Sequence, residues 1–199
     1  SLDPENVDAL TNQAFLLHEV GQCEGALDAT SAILRLRPND VPAWYLRGEC
    51  LERMGRPAKA LEALDRALSL DPNADAVWAL KERVLRSVAG TKDGMAKVVE
   101  RYRGDVRVSP FNFQAWMTLS LLMEWAGDDL LAKEYLLRAR EVNPYLTRAY
   151  IEEGRILRRE GSLEKALERF DEAIGISTDS EEALQERATA LEDLGRDIE

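Results

Sequence analysis

The chain has 199 residues, of which 45% are hydrophobic and 32% are charged. This composition is typical of a folded protein and excludes a chain dominated by disorder. Lys and Arg total 26 against 37 Asp and Glu, so the net charge of −11 disfavours non-specific binding to nucleic acid. The best apolar run, Leu119 to Met123, already contains Ser120 and is far shorter than the roughly 18 residues that a membrane helix requires, so we expect no membrane insertion.

The two cysteines, Cys23 and Cys50, are too few for a disulfide framework and have no metal-binding spacing. They suit a reducing compartment, and the N-terminus shows no basic-then-apolar leader of the secretory type. The sequence therefore predicts a cytoplasmic location.

The prolines reveal a period of about 34 residues, the length of a two-helix repeat. Pro38 and Pro72 are one period apart, as are Pro110 and Pro144, and the interval between Pro72 and Pro110 is four residues longer. Alignment on these prolines brings four further columns into register. They are Leu10, Trp44, Trp78, Trp116, Tyr150 and Leu184; Gly21, Gly55, Gly127, Gly161 and Gly195; Ala26, Ala60, Ala132 and Ala166; and Ile33, Ala67, Ala139 and Ala173.

The spacing of apolar residues predicts two helices in each repeat. In the second repeat these are Val41 to Met54 and Ala58 to Leu70, separated by Gly55, which can take the positive φ that ends a helix. The predicted repeats are 7–40, 41–74, 75–112, 113–146 and 147–180, followed by a half repeat or capping helix at 181–195. Both ends of the chain fall within a repeat, so we expect a fragment of a longer, single array; a natural capping helix at the C-terminus is the alternative.

The third repeat carries the four extra residues. Its apolar series Met95, Val99, Tyr102 and Val106 predicts a second helix with large residues where the other repeats have mostly alanine. Because large side chains at such positions push helices apart, and Gly104 weakens a helix, we expect a displaced helix and a long connection from Gly104 to Ser109.

The residue types needed for catalysis are scarce. His18 is the single histidine, and we interpret it as a polar residue on a helix face. His18, Cys23 and Cys50 do not have the spacing of zinc ligands, and no glycine-rich phosphate loop is present. We expect no enzymatic activity, no metal site and no cofactor.

The repeat resembles the tetratricopeptide repeat, whose pattern is W-x2-L-G-x2-Y, then A-x3-F, then P. The second repeat has Trp44, Arg47, Gly48, Leu51, Ala60, Leu64 and Pro72 at these positions, and the fourth has Trp116, Leu119, Ser120, Met123, Ala132, Leu136 and Pro144. The resemblance covers essentially the whole chain. It implies an all-α fold, a right-handed superhelix (solenoid) of antiparallel helix hairpins.

In this family the first helix of each repeat lines a concave groove that binds a peptide segment, so the resemblance also implies candidate site residues. They are Phe15, Tyr45, Leu46, Arg83, Arg86, Met117, Leu121, Trp125, Arg148, Arg155, Arg158 and Arg159. Two known subtypes do not fit. The carboxylate-clamp positions hold Thr11, Phe15, Leu46, Ala76 and Leu80, and an asparagine ladder would retain only Asn12.

The resemblance predicts a protein–protein interaction scaffold whose partner is a protein or peptide. The groove arginines support an acidic segment as ligand, with apolar residues to meet Leu121 and Trp125. The alternative is that Glu152 pairs with Arg148 and Arg155, leaving solvated helix charges. Two other roles remain open: a regulatory or substrate-docking region of a larger enzyme, and a structural protein that assembles into homo-oligomers through its ends or its groove.

Overall fold

The computed structural model of the chain describes residues 7–195, and 81% of these residues are helical. Within that range there are eleven helices and no strand. They are α1 (Val7–Glu19), α2 (Cys23–Leu36), α3 (Val41–Arg53), α4 (Pro57–Leu70), α5 (Asp75–Ala89), α6 (Lys92–Val108), α7 (Phe113–Trp125), α8 (Asp129–Val142), α9 (Thr147–Arg159), α10 (Leu163–Ile176) and α11 (Glu181–Asp193). The predicted all-α fold is confirmed.

The described residues form two compact units, an N-terminal unit that ends at Ala96 and a C-terminal unit that begins at Lys97. In the N-terminal unit α1 packs on α2, α3 on α4, and the pairs meet through α2 and α3, while α5 packs on α4. The C-terminal unit repeats this order: α7 on α8, α9 on α10, α8 on α9 and α10 on α11. The predicted boundaries of the individual repeats stay a prediction.

Glycines end the first helices as the sequence predicts. Gly55 has φ +68°, and the following Arg56 N–H donates to the carbonyl of Leu51 at 2.9 Å, a bond that closes the last turn of α3. Gly21, Gly127, Gly161 and Gly195 also have positive φ. The glycine column is thus explained by a backbone conformation that other residues rarely adopt.

Small residues allow the two helices of a hairpin to approach closely. Ala60 and Ala67 are fully buried, and a Cβ atom added at Gly48 would lie 2.8 Å from Cδ2 of Leu64. In the C-terminal unit, Gly154 of α9 lies against the buried ring of Phe170 in α10. The small-residue columns therefore set the distance between helices.

The aromatic and proline columns are linked by hydrogen bonds. The side-chain donor at the start of a first helix reaches the carbonyl of the proline six residues earlier: Trp44 Nε1 to Pro38 (2.9 Å), Trp78 Nε1 to Pro72 (2.9 Å), Trp116 Nε1 to Pro110 (2.8 Å) and Tyr150 Oη to Pro144 (3.1 Å). These bonds fix the turn against the helix that follows, which explains why the two columns share one spacing.

The prediction of a long connection from Gly104 to Ser109 is wrong, because α6 continues through Gly104 to Val108. The buried residues Val98, Val99, Tyr102 and Val106 lie on both sides of the glycine. Since a glycine within a helix costs only about 1 kcal/mol relative to alanine, burial of this apolar stripe outweighs it. The extra residues of the third repeat are therefore accommodated as additional helix.

Candidate functional site

The first helices of the N-terminal unit bring three predicted site residues together. Phe15 of α1 and Tyr45 and Leu46 of α3 line a cavity of about 450 Å³, here called the α1–α3 pocket. The Phe15 ring is 57% exposed, and Tyr45 and Leu46 are half-buried. An exposed aromatic ring beside a concave apolar wall is the arrangement expected of a contact surface for a partner.

Polar side chains form the other wall of the α1–α3 pocket. His18 is buried, and its Nε2 lies 3.2 Å from Oε2 of Glu49. Its carbonyl oxygen accepts a hydrogen bond from Arg53 at 3.0 Å, which ties α3 to the end of α1. Glu19 and Asp40 also line the cavity. The pocket thus combines apolar contact area with polar atoms able to orient a ligand.

Arg83 of α5 is held by carboxylates of α3. Its guanidinium donates to both oxygens of Glu52, at 3.0 and 2.8 Å, and lies 3.9 Å from Glu49. Burial, followed by the charge of Glu49, raises the pKa of the Tyr45 hydroxyl and so favours its protonated, hydrogen-bond-donating form. Arg86, the other predicted residue of α5, is exposed.

The apolar candidates of the C-terminal unit are less accessible. Met117 and Leu121 of α7 are buried, with 0% and 3% exposure, and Trp125 is half-buried. Ile151 of α9 is buried in a core cluster with residues of α10 and α11. These side chains contribute to the core and offer little surface to a ligand.

The predicted arginines of α9 are engaged in ion pairs within the C-terminal unit. We call this set the α9 network. Its pairs are Arg148–Glu152 (3.1 Å), Arg155–Glu152 (3.2 Å), Arg155–Glu182 (2.8 Å), Arg155–Glu186 (2.8 Å), Arg158–Glu186 (3.3 Å), Arg158–Asp193 (3.3 Å), Arg159–Glu124 (2.7 Å) and Arg159–Asp129 (3.2 Å). The network connects α7, the start of α8, α9 and α11.

Arg155 is at the centre of the α9 network. Burial opposes its charged form, but the carboxylates of Glu152, Glu186 and Glu182 outweigh burial and raise its pKa above the ordinary arginine value. Glu152 is only 4% exposed and lies between Arg148 and Arg155. The network is therefore a partly buried structural element in which each charge has its counterpart.

Sequence reasoning did not identify Glu182 and Glu186 as partners of Arg155. Their positions within the repeat carry a signal when residues are counted from the start of each predicted repeat. Arg155 is the ninth residue of its repeat, and Glu182 and Glu186 are the second and sixth residues of the segment that follows. Arg83 and Glu52 are related similarly, at positions nine and twelve of adjacent repeats. Opposite charges at groove positions of consecutive repeats therefore predict ion pairs between first helices.

Residues 7–195 offer neither a metal-binding cluster nor a membrane span. No group of three or more His, Cys, Asp or Glu side chains in that range could hold a metal ion. None of the helices described there combines the length and the hydrophobicity that spanning a bilayer demands.

Comparison with known proteins supports the resemblance. Residues 24–84 match the family model of the tetratricopeptide repeat. The crystal structure of TTC0263, a tetratricopeptide repeat protein of Thermus thermophilus, aligns with a TM-score of 0.60 at 16% identity, over 93% of this chain and 98% of that one. The chain therefore has the tetratricopeptide repeat fold, and residues 24–84 match the sequence pattern of that family.

Other solved structures are more weakly similar to this chain. YrrB, described as having an unusual peptide-binding site, aligns at 22% identity over 91% of each chain with a TM-score of 0.49. MamA aligns at 19% identity over 87% of this chain and 93% of its own, with a TM-score of 0.47. A search of curated proteins found no significant match. Proteins of this family are generally non-enzymatic scaffolds for protein–protein interaction.

Proposed function

We propose that this chain is a non-enzymatic scaffold that binds a peptide segment of a partner protein in the α1–α3 pocket. The observation that carries the proposal is the exposed Phe15 ring, which lines a cavity together with Tyr45 and Leu46. An apolar side chain of the partner that enters this cavity would bury the Phe15 ring and gain about 25 cal/mol per Å² of apolar surface removed from water.

The polar wall supports the proposal because it can orient an extended segment. Tyr45 carries a hydroxyl donor, and Glu19 and Glu49 carry carboxylate acceptors on the two helices that line the cavity. Backbone N–H groups of a bound peptide require such acceptors when they leave water. The same carboxylates favour a segment without negative charges at its centre.

The α9 network is a poorer place for the acidic segment that the sequence suggests. An acidic ligand at Arg155 would have to displace Glu182 and Glu186, which already bind its guanidinium at 2.8 Å. Exchange of one carboxylate for another yields little net energy. We therefore assign peptide binding to the α1–α3 pocket.

Two phenylalanine variants provide the test. A phage-displayed library of random peptides is panned on the intact chain, and the affinities of the selected peptides are measured for Phe15→Ala and for Phe111→Ala. Phe111 is a matched control because it is also an exposed phenylalanine, at 82%, and does not line the pocket. Loss of a central aromatic contact costs about 2 kcal/mol or more, so we expect roughly thirtyfold weaker binding by Phe15→Ala and an unchanged affinity for Phe111→Ala.

Failure of the library to yield any binder would contradict the proposal. It would also be contradicted by peptides that lose affinity equally with both variants, since such peptides recognise exposed aromatic rings in general. Circular dichroism of Phe15→Ala should match that of the parent chain, because the ring is mostly in solvent.

A further inference from the structure

A second cavity of the N-terminal unit uses a different face of α3. It has a volume of about 710 Å³ and is lined by side chains of α2, α3 and α4; we call it the α2–α4 pocket. Its lining on α3 consists of Trp44, Arg47 and Leu51, which are spaced three and four residues apart and so share one face of the helix. The α1–α3 pocket is lined by Tyr45 and Glu49 of the same helix. The two cavities therefore lie on different faces of α3 and share no lining residue.

The α2–α4 pocket is lined by four cations and one carboxylate. The cations are Arg35, Arg47, Lys59 and Arg66, and the carboxylate is Glu62. Arg35, Lys59 and Arg66 are exposed, and Arg47 is half-buried. Four positive side chains around one cavity create a local positive potential in a chain whose net charge is −11.

These four cations form no ion pairs with the other residues described. Among residues 7–195 none of them has a carboxylate within ion-pair distance, in contrast to every arginine of the α9 network. Arg47 donates to the neutral hydroxyl of Ser31 at 2.9 Å. Arg66 donates to the side-chain oxygens of Asn39 and Ser69, at 3.3 and 3.4 Å. Their guanidinium groups retain donors for an anionic ligand.

The remaining lining residues are apolar and define the rest of the ligand. Leu51 and Ala63 are buried at the base of the cavity, and Leu34 and Trp44 are half-buried beside them. A volume of about 710 Å³ is much larger than a single phosphate or carboxylate group needs. A fitting ligand therefore carries both negative charges and apolar side chains over several residues.

We propose that the α2–α4 pocket binds an acidic peptide segment of a partner protein, with carboxylates at the cationic rim and an apolar side chain on the base formed by Leu34, Leu51 and Ala63. This site is independent of the α1–α3 pocket. It gives the acidic ligand a site where four cations outnumber one carboxylate and none of the four forms an ion pair with the residues described.

The test uses a synthetic peptide of alternating Glu and Leu residues and the intact chain, with binding measured by fluorescence anisotropy. Lys59→Glu reverses one rim charge. Lys165→Glu is the matched control, because Lys165 is the third residue of α10 as Lys59 is the third residue of α4, both are exposed, and the net charge changes equally. We expect Lys59→Glu to weaken binding by about fivefold or more and Lys165→Glu by less than roughly twofold.

Further arms distinguish the acidic-peptide site from attraction by net charge and from a small-anion site. A peptide in which Ser replaces Leu should bind markedly more weakly, and Phe15→Ala should leave the affinity unchanged, which keeps the result distinct from that of the α1–α3 pocket. Equal effects of Lys59→Glu and Lys165→Glu would overturn the proposal, because the attraction would then depend on net charge alone. Displacement of the peptide by millimolar inorganic phosphate, together with full binding of the Ser peptide, would overturn it in favour of a small-anion site.

Discussion

The N-terminal and C-terminal units place the same repeat positions on the faces of their first helices but use them differently. In the N-terminal unit the face keeps an exposed Phe15 and an open cavity. In the C-terminal unit Met117 and Leu121 on the corresponding face are buried, and Arg155 forms ion pairs with Glu152 and Glu182. The position of a residue within its repeat thus determines which face of the first helix it occupies. The side chains of the neighbouring first helix then determine whether that face stays open to a ligand.

The strongest test of this comparison is Glu152→Gln. Glu152 is buried and faces two arginines, so loss of its charge leaves Arg148 and Arg155 without a shared carboxylate. Removal of one partner from a buried ion pair costs about 3 kcal/mol, and we expect the free energy of unfolding to fall by about that amount. Urea denaturation followed by circular dichroism measures the change.

Glu168→Gln is the control for this experiment. Glu168 is exposed and lies 3.9 Å from Arg169, so its loss should change stability by less than about 0.5 kcal/mol. A loss for Glu152→Gln no larger than that of Glu168→Gln would show that the α9 network contributes nothing to the fold, and the contrast between the two units would disappear.

Alanine substitutions at the glycines of the close helix contacts should have the next largest effect. At Gly154 a Cβ atom would lie 2.8 Å from Cζ of the buried Phe170 ring, and at Gly48 it would lie 2.8 Å from the end of the Leu64 side chain. A rigid ring yields less readily than a leucine methyl group. We therefore expect a destabilisation of about 2 kcal/mol for Gly154→Ala and about 1 kcal/mol for Gly48→Ala, measured by thermal unfolding.

Gly104→Ala is the matched control, because a Cβ atom there would meet no atom within 4 Å. Alanine lowers the backbone entropy of the unfolded chain and favours the helix, so this variant should be stabilised by about 0.5–1 kcal/mol. Destabilisation by Gly104→Ala would contradict the continuous course of α6.

Spacing alone was sufficient to predict the helices other than the end of α6, the turn at Gly55 and the close helix contacts at Gly48 and Ala60, since each follows from backbone conformation or from close packing within one repeat. Two features depend on contacts between repeats and were missed: the pairing of Arg155 with Glu182, and the unpaired cations around the α2–α4 pocket. Burial of Lys81, which lies 2.7 Å from Asp65 and over the Trp78 ring, was also missed. Lysine side chains are usually exposed, so the residue type at position 81 predicts exposure, and the contacts with Asp65 and Trp78 override that expectation.

The third prediction concerns alkaline pH and the N-terminal unit, which contains both cysteines. Burial, followed by the proximity of Cys23, raises the pKa of Cys50 from 9.0 to about 12. The folded state therefore holds this proton more tightly than the unfolded state, so stability is intact below about pH 9 and is lost progressively as the pH rises towards 12.

Cys50→Ala isolates this contribution. The variant loses a buried sulfur at every pH, but its stability should decline less steeply between pH 9 and 12 than that of the parent chain, as measured by urea midpoints at each pH. If stability declined equally with pH in the two proteins, folding would not raise the pKa of Cys50, and the prediction would be wrong.

The smallest effects should come from the exposed ion pairs at the edges of the two faces, and they test whether the contrast between the units lies in the buried pairs. Arg83 pairs with Glu52 in the N-terminal unit and Arg159 with Glu124 in the C-terminal unit, with the arginine side chains 58% and 46% exposed. Solvent screens both pairs to a similar degree, so Arg83→Gln and Arg159→Gln should each cost about 0.5 kcal/mol, and both losses should shrink between about 50 and 500 mM salt. A loss for Arg159→Gln that is several times larger and insensitive to salt would place Arg159 in the buried part of the α9 network, and the region closed to ligands would then extend to α7.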